Sequence, residues 1–203
     1  MDREEVPLDE ILALPEGLEK TVALVAWFQG IYPPGAGVPV LVGGAAAEIL
    51  SGGAYTTGDL DFVGEIPPEV AGRLEEAGFS RQGRYWLHEK GQVFVELPAS
   101  GLGPGERAVS LQVCDRTLLM LSPEDVLVDR LAAWQFWSSQ VDGVAAFWIW
   151  QSHGERLDLK YLQVTTEHKG LIAALGRLQL FSEQLAGRSP EPEELFSWAR
   201  TTP

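Results

Sequence analysis

Apolar positions along this chain follow two different rhythms, and the change between them falls near residue 121. In the first part they come mostly as short runs and alternations. Leu18, Val22, Val25 and Phe28 are the exception: they recur at helical spacing, and the stripe closes at Gly30, which predicts a helix over 18–29. After the loop Tyr32-Pro33-Pro34-Gly35, the run Val38 to Val42 predicts a buried strand. Ala45 to Leu50 reads as a short helix that Ser51-Gly52-Gly53 stops, and the next strand runs from Leu60 to Val63. Pro67-Pro68 opens a helix that continues to about Glu76 and ends at Gly78. Tyr85 to His88 and Val93 to Leu97 then predict two strands facing each other across Glu89-Lys90-Gly91. Beyond the Gly/Pro-rich loop Gly101 to Gly105, a further strand is expected over Val109 to Val113.

From Ser122 onward the pattern is helical throughout. Ser122-Pro123-Glu124-Asp125 is a strong start signal, with serine as N-cap, proline at the first helical position and a carboxylate at the third. Helices are expected over 123–139, 141–152, 158–168, 170–186 and 191–200, with Asp158 as a cap and Gly154, Gly170 and Gly187 as breakers. This reading gives two domains: an α/β part over residues 1–121 and a helical part over 122–203. No internal repeat or low-complexity stretch interrupts either.

Composition narrows the class. An apolar fraction of 45% and a charged fraction of 22% are ordinary for a globular chain. No run approaches the roughly 18 apolar residues that a membrane span needs, and Met1-Asp2-Arg3-Glu4-Glu5 lacks the features of a signal peptide. Cys114 is the only cysteine, which excludes an internal disulfide and a cysteine-based zinc site. The expectation is a cytoplasmic protein with no membrane partner. A net charge of −14 argues against nonspecific coating of nucleic acid, though Arg73, Arg81, Arg84 and Lys90, with His88 among them, leave room for a local basic site. Asparagine is absent and proline is common in loops, as in thermophile proteins, although a GC-rich genome biases composition the same way.

Chemistry concentrates between Gly43 and Asp61. In a strand, side chains at i and i+2 share a face, so Asp59 and Asp61 project together while Leu60 and Phe62 turn into the core. Two carboxylates at ~4 Å repel by about 4 kcal/mol at an effective dielectric of ~20 unless something neutralises them. A divalent cation or a shared proton does so. Gly43 and Gly44 precede a helix N-terminus, where free N–H groups and the helix dipole favour phosphate, so the cation fits the neighbourhood better. A third carboxylate should come from a neighbouring strand. Glu96, set in the apolar run between Val95 and Leu97, is the best-placed candidate, with an exposed strand face as the alternative. Such a set matches two-metal phosphoryl or nucleotidyl transfer, with Asp59, Asp61 and Glu96 as catalytic metal ligands.

Val42-Gly43-Gly44, Asp59-Leu60-Asp61-Phe62 and Val95-Glu96-Leu97 together resemble the signature of the nucleotidyltransferase superfamily related to DNA polymerase beta. The closest branch is similar to small bacterial nucleotidyltransferases that include abortive-infection-type toxins, which share the VGG-A opening and a threonine before the aspartates, here Thr57. The segment Ser122 to Leu131, with Asp125, Asp129 and Arg130, also looks like the start of that branch's helical half, and the resemblance covers roughly residues 38–165. It implies an α/β (α+β) fold, a small mixed sheet with flanking helices followed by a helical C-terminal half. It also implies two Mg²⁺ ions (Mn²⁺ as the alternative) on Asp59, Asp61 and Glu96, with Gly43 and Gly44 on the β- and γ-phosphates and Thr57 among the nucleotide-binding residues. The activity implied is transfer of a nucleoside monophosphate from an NTP to a hydroxyl of RNA, protein or a small molecule, in a toxin–antitoxin setting with an antitoxin partner or as a homodimer. Three features depart from the pattern: fourteen residues lie between Gly44 and Asp59, Tyr55 stands where toxin relatives carry arginine, and the third acid is glutamate.

Arg130 falls on one helical stripe with Val126, Trp134 and Trp137. It either reaches a nucleotide phosphate or forms a structural ion pair, since arginine on an apolar face is rarely left unpaired. Asp158 and Lys160 read as capping or surface residues. Trp134, Trp137, Trp148 and Trp150 read as helical core, with a protein-binding face as the alternative. His153 and His168 lack metal-ligand spacing, and no Gly-x-Ser-x-Gly, His-Glu-x-x-His or P-loop lysine occurs. A rival reading of another class is a catalytically idle protein on the same fold that acts by protein–protein binding.

Overall fold

The computed structural model describes residues 6–201, so the opening segment read above for a signal peptide lies outside the described residues. The chain folds as a mixed α/β protein whose contacts form two compact units, one of Met1–Ile49 and Thr56–Leu121, the other of Leu50–Tyr55 and Ser122–Pro203.

The first unit is built on a seven-stranded mixed sheet. Its strands are β1 (Val40–Val42), β2 (Asp59–Val63), β3 (Ser80–Gln82), β4 (Tyr85–His88), β5 (Val93–Ala99), β6 (Ala108–Val113) and β7 (Arg116–Leu121). They lie in the order β3-β4-β5-β2-β1-β7-β6. The central β2 runs antiparallel to β1 and parallel to β5, while β7 lies parallel to β1. The hairpin expected across residues 89–91 is present as the antiparallel β4–β5 pair. Helices α1 (Leu8–Leu12), α2 (Leu18–Gly30), α3 (Gly43–Leu50) and α4 (Pro68–Glu76) accompany the sheet.

Three of these elements escaped the pattern. The α1 helix is barely more than one turn, too short to show a period. The β3 strand is exposed along its length, and an edge strand without a buried face has no alternation to read. The β7 strand, Arg116-Thr117-Leu118-Leu119-Met120-Leu121, buries both Leu118 and Met120 on one face. Its neighbour Leu119 and the adjacent Leu121 blur that alternation into a plain apolar run.

One face of the sheet is the core. Leu41, Leu60, Phe62, Val95, Leu118 and Met120 are all buried. Against them packs α2, whose Phe28 ring sits 4.5 Å from that of Phe62. Gln29 pins this helix in place: its amide donates to the carbonyls of Pro39 (2.9 Å) and Leu119 (2.6 Å), and its Oε1 accepts the Leu119 N–H at 3.0 Å. One buried polar side chain thereby satisfies backbone groups beside β1 and in β7, as a buried amide must.

The second unit is helical, with α5 (Pro123–Trp137), α6 (Gln140–His153), a 3-10 turn at Gly154–Arg156, α7 (Leu159–His168), α8 (Ile172–Leu185) and α9 (Pro192–Arg200). Ser122 caps α5 by accepting the Asp125 N–H at 3.2 Å, and Asp158 caps α7 by accepting the Tyr161 N–H at 3.0 Å. Trp134, Phe147, Phe181 and Trp198 form an aromatic core, the last two stacked at 4.6 Å. The indole of Trp134 donates to the Ala199 carbonyl at 2.7 Å. Trp137, placed on the apolar stripe by its spacing, is instead 76% exposed at the C-terminal end of α5, because the helix stops there at Ser138 in a left-handed cap. Among the described residues, no helix is long and apolar enough to cross a membrane.

Candidate active site

The candidate site lies on the sheet face opposite Leu60 and Phe62. Along β2 the residues alternate as the sequence requires: Asp59 is exposed, Leu60 buried, Asp61 half-buried and Phe62 buried. The parallel pairing with β5 sets Asp59 opposite Phe94 and Asp61 opposite Glu96. Directly paired residues share a face, so Asp59, Asp61 and Glu96 all belong to the open side while Val95 joins the core.

The turn from β1 into α3 closes on these acids. The helix begins at Gly43 itself, two residues earlier than the sequence suggested. Gly43 has φ +66°, in the region that favours glycine, and its backbone lies against the Asp61 side chain. A Cβ there would collide with the Asp61 carboxylate, standing 3.1 Å from its Cβ and Cγ. A Cβ on Gly44 would fall 2.7 Å from the Thr57 hydroxyl. The two glycines therefore let the start of α3 approach Asp61 and Thr57 more closely than any other residue type allows.

Thr57 is held by two contacts. Its hydroxyl accepts the Asp59 N–H at 3.4 Å, and its own N–H donates to Glu48 on α3 at 3.4 Å. Glu48 is 1% exposed. Burial pushes its carboxyl above the usual range, opposed by hydrogen bonds from Thr57 and Thr21. Sequence reading did not single out Glu48; a lone acid at the end of the Ala45-Ala46-Ala47 run was the available signal.

Glu96 has a partner. The guanidinium of Arg84, carried by the tight turn into β4, meets its Oε1 at 2.7 Å, with the Arg84 side chain 62% exposed and that of Glu96 20%. Arg84 also donates to the Tyr85 hydroxyl at 2.9 Å and lies over the Tyr85 ring at 5.1 Å. Tyr85 and Glu96 are direct cross-strand partners. The hydrogen bond to Tyr85, and then the charge of Glu96, raise the Arg84 pKa.

Two aspartates on one face with a glutamate in register, beside a glycine turn closed on one of them, fit a divalent cation in donor chemistry. In this arrangement Glu96 is drawn to Arg84, and among the described residues no three His, Cys, Asp or Glu side chains are gathered tightly enough to hold a metal.

Arg130 lies in the helical unit, where its Nη1 meets Asp142 Oδ1 at 2.6 Å, each side chain 15% exposed. The structural ion pair, one of the two roles open to it in the sequence, is present, and the guanidinium Nε is buried without a hydrogen-bond partner. Of the basic group, Arg73 donates to the Ile31 carbonyl at 2.6 Å and pairs with Glu69, while His88 is buried with Nδ1 accepting the Gly91 N–H at 2.9 Å. Arg81 and Arg84 line a shared cavity of about 200 Å³ with Gly83, Trp86 and Leu97.

No family model matches the chain, and no curated protein matches it in sequence. Among solved structures, it is similar to the crystal structure of an antigenic nucleotidyltransferase-like protein from Paracoccidioides brasiliensis, with a TM-score of 0.54. The two share 16% identity over 93% of this chain and 96% of that one. At that identity the likeness concerns architecture, and this chain has a nucleotidyltransferase-like fold.

Proposed function

We propose that this protein is a nucleotidyltransferase that moves a nucleoside monophosphate from an NTP to a hydroxyl. The observation that carries the reading is the register of β2 and β5, which sets Glu96 beside Asp61 on the open face while Gly43 closes on Asp61 from the other side. Asp59, Asp61 and Glu96 are the residues that would hold Mg²⁺ or Mn²⁺. Bound there, the cation supplies positive charge that lowers the acceptor hydroxyl's pKa and stabilises the leaving pyrophosphate. The backbone N–H groups opening α3 at Gly43 and Gly44 bind the β- and γ-phosphates, and the close approach of that turn to Asp61 sets the phosphates beside the acids. Thr57 fixes the loop ahead of Asp59 and lines the nucleotide end of the site. Arg130, paired with Asp142 through Nη1, is not needed for this reading. The acceptor belongs to one of three classes, an RNA end, a protein or a small molecule, and a toxin–antitoxin pair is the setting the resemblance favours.

A second reading, an idle site on a protein that works by binding another, draws support from the Arg84–Glu96 pair and from exposed Phe136 and Trp137. Incubation with each labelled NTP and Mg²⁺ in a lysate, alongside the Asp59→Ala/Asp61→Ala double variant, separates the two. Transfer by the native protein that the double variant loses is the expected result. Absence of transfer with all four NTPs, together with no Mg-nucleotide binding, decides for the idle site.

A further inference from the structure

Three acids on one face of a sheet repel one another, and the chain already carries a partial answer to that repulsion. Arg84 sits at the turn before β4, and the antiparallel β4–β5 register puts its neighbour Tyr85 directly across from Glu96. Its guanidinium bonds Glu96 at 2.7 Å and the Tyr85 hydroxyl at 2.9 Å, with the Tyr85 ring beneath it. The Arg84 side chain is 62% exposed, so water can take the place of this contact and the pair can be exchanged. Arg81, on the same hairpin, instead donates to the Gly83 carbonyl at 3.1 Å.

We propose that Arg84 is a resident counter-cation of the candidate site, which neutralises Glu96 until a divalent cation displaces it and so sets the affinity of the site for metal. The inference rests on the reading of Asp59, Asp61 and Glu96 as a cation site. Arg84 is then a positioning residue: it acts through Glu96, whose carboxylate it engages in the ligand-free protein. Entry of a cation requires Glu96 to exchange one positive partner for another, and the cost of breaking the ion pair is subtracted from the cation's binding.

Titration of the whole protein with Mn²⁺ alone, followed by the electron paramagnetic resonance of free Mn²⁺, tests this without reference to activity. Native protein should bind Mn²⁺, and the Asp59→Ala/Asp61→Ala variant should not. Arg84→Gln should bind it about fivefold more tightly, the scale of a partly exposed ion pair. In a Glu96→Gln background, Arg84→Gln should change nothing further, and Arg81→Gln should leave the native affinity as it is. A gain of equal size in the Glu96→Gln background, or from Arg81→Gln, would assign the effect to long-range charge and overturn the proposal. If Arg84→Gln equals or falls below the native affinity while the double aspartate variant still loses binding, the cation site stands and the role of Arg84 does not. Failure of native and Arg84→Gln proteins alike to bind Mn²⁺ removes the cation site, and this proposal with it.

Discussion

Asp61 is the residue on which most of the candidate site converges: Gly43 closes on its side chain and Glu96 pairs with it across the sheet. That it shares a face with Asp59 follows from the period of a strand alone. That Gly43 must be glycine follows only from the close approach of the β1–α3 turn to the Asp61 side chain, two strands being placed side by side by the fold. Gly43→Ala should therefore act twice. The φ of +66° disfavours a Cβ by about 1–2 kcal/mol, and the collision with Asp61 turns that carboxylate aside. The expected outcome is a modest drop in the chemical-denaturation midpoint together with loss of Mn²⁺ and NTP binding. Undiminished binding would mean that the turn does not shape the site. Arg84 and Arg130 make the converse point. Both were visible as cations, yet their partners, Glu96 and Asp142, depend on a cross-strand register and on helix packing that spacing does not encode.

At the level of elements, most of the strands and helices could be read from periodicity and caps, with boundaries moved by a residue or two. Those that could not, the short α1, the exposed β3 and the apolar β7, lack a face that contrasts with its opposite. The insertion of β7 beside β1 matters because it completes the surface that α2 covers. Gln29 is the clasp between them, with three hydrogen bonds of 2.6–3.0 Å to backbone beside β1 and in β7. Gln29→Leu should keep the volume but leave those backbone groups buried and unpaired, a loss of about 2–4 kcal/mol. Urea unfolding should show a lower midpoint with unchanged steepness. A change within experimental scatter would mean that water or rearrangement replaces the amide.

For the whole molecule, the dominant property is its charge. A net charge of −14 on 203 residues makes the folded state self-repelling, since it is the excess of acids left after every Lys and Arg is counted against one. Raising ionic strength from a few millimolar to ~0.15 M shortens the Debye length to ~8 Å and should raise the melting temperature by about 2–4 °C. A falling melting temperature would show that local pairs such as Arg188–Glu194 outweigh the global repulsion. The same charge disfavours nonspecific binding along nucleic acid, so an RNA acceptor, if that is the class used, is expected to be gripped at its end. By itself, the amino-acid sequence determined what local geometry encodes: the shared face of Asp59 and Asp61, the caps at Ser122 and Asp158, the glycines before α3, and the switch from strand to helix near residue 121. Only the tertiary structure decided which strand lies beside which. That choice sets Glu96 opposite Asp61, hands Glu96 to Arg84 and closes Gly43 onto the acids, because strand partnership is settled by burial over the whole sheet and not by any one segment's pattern.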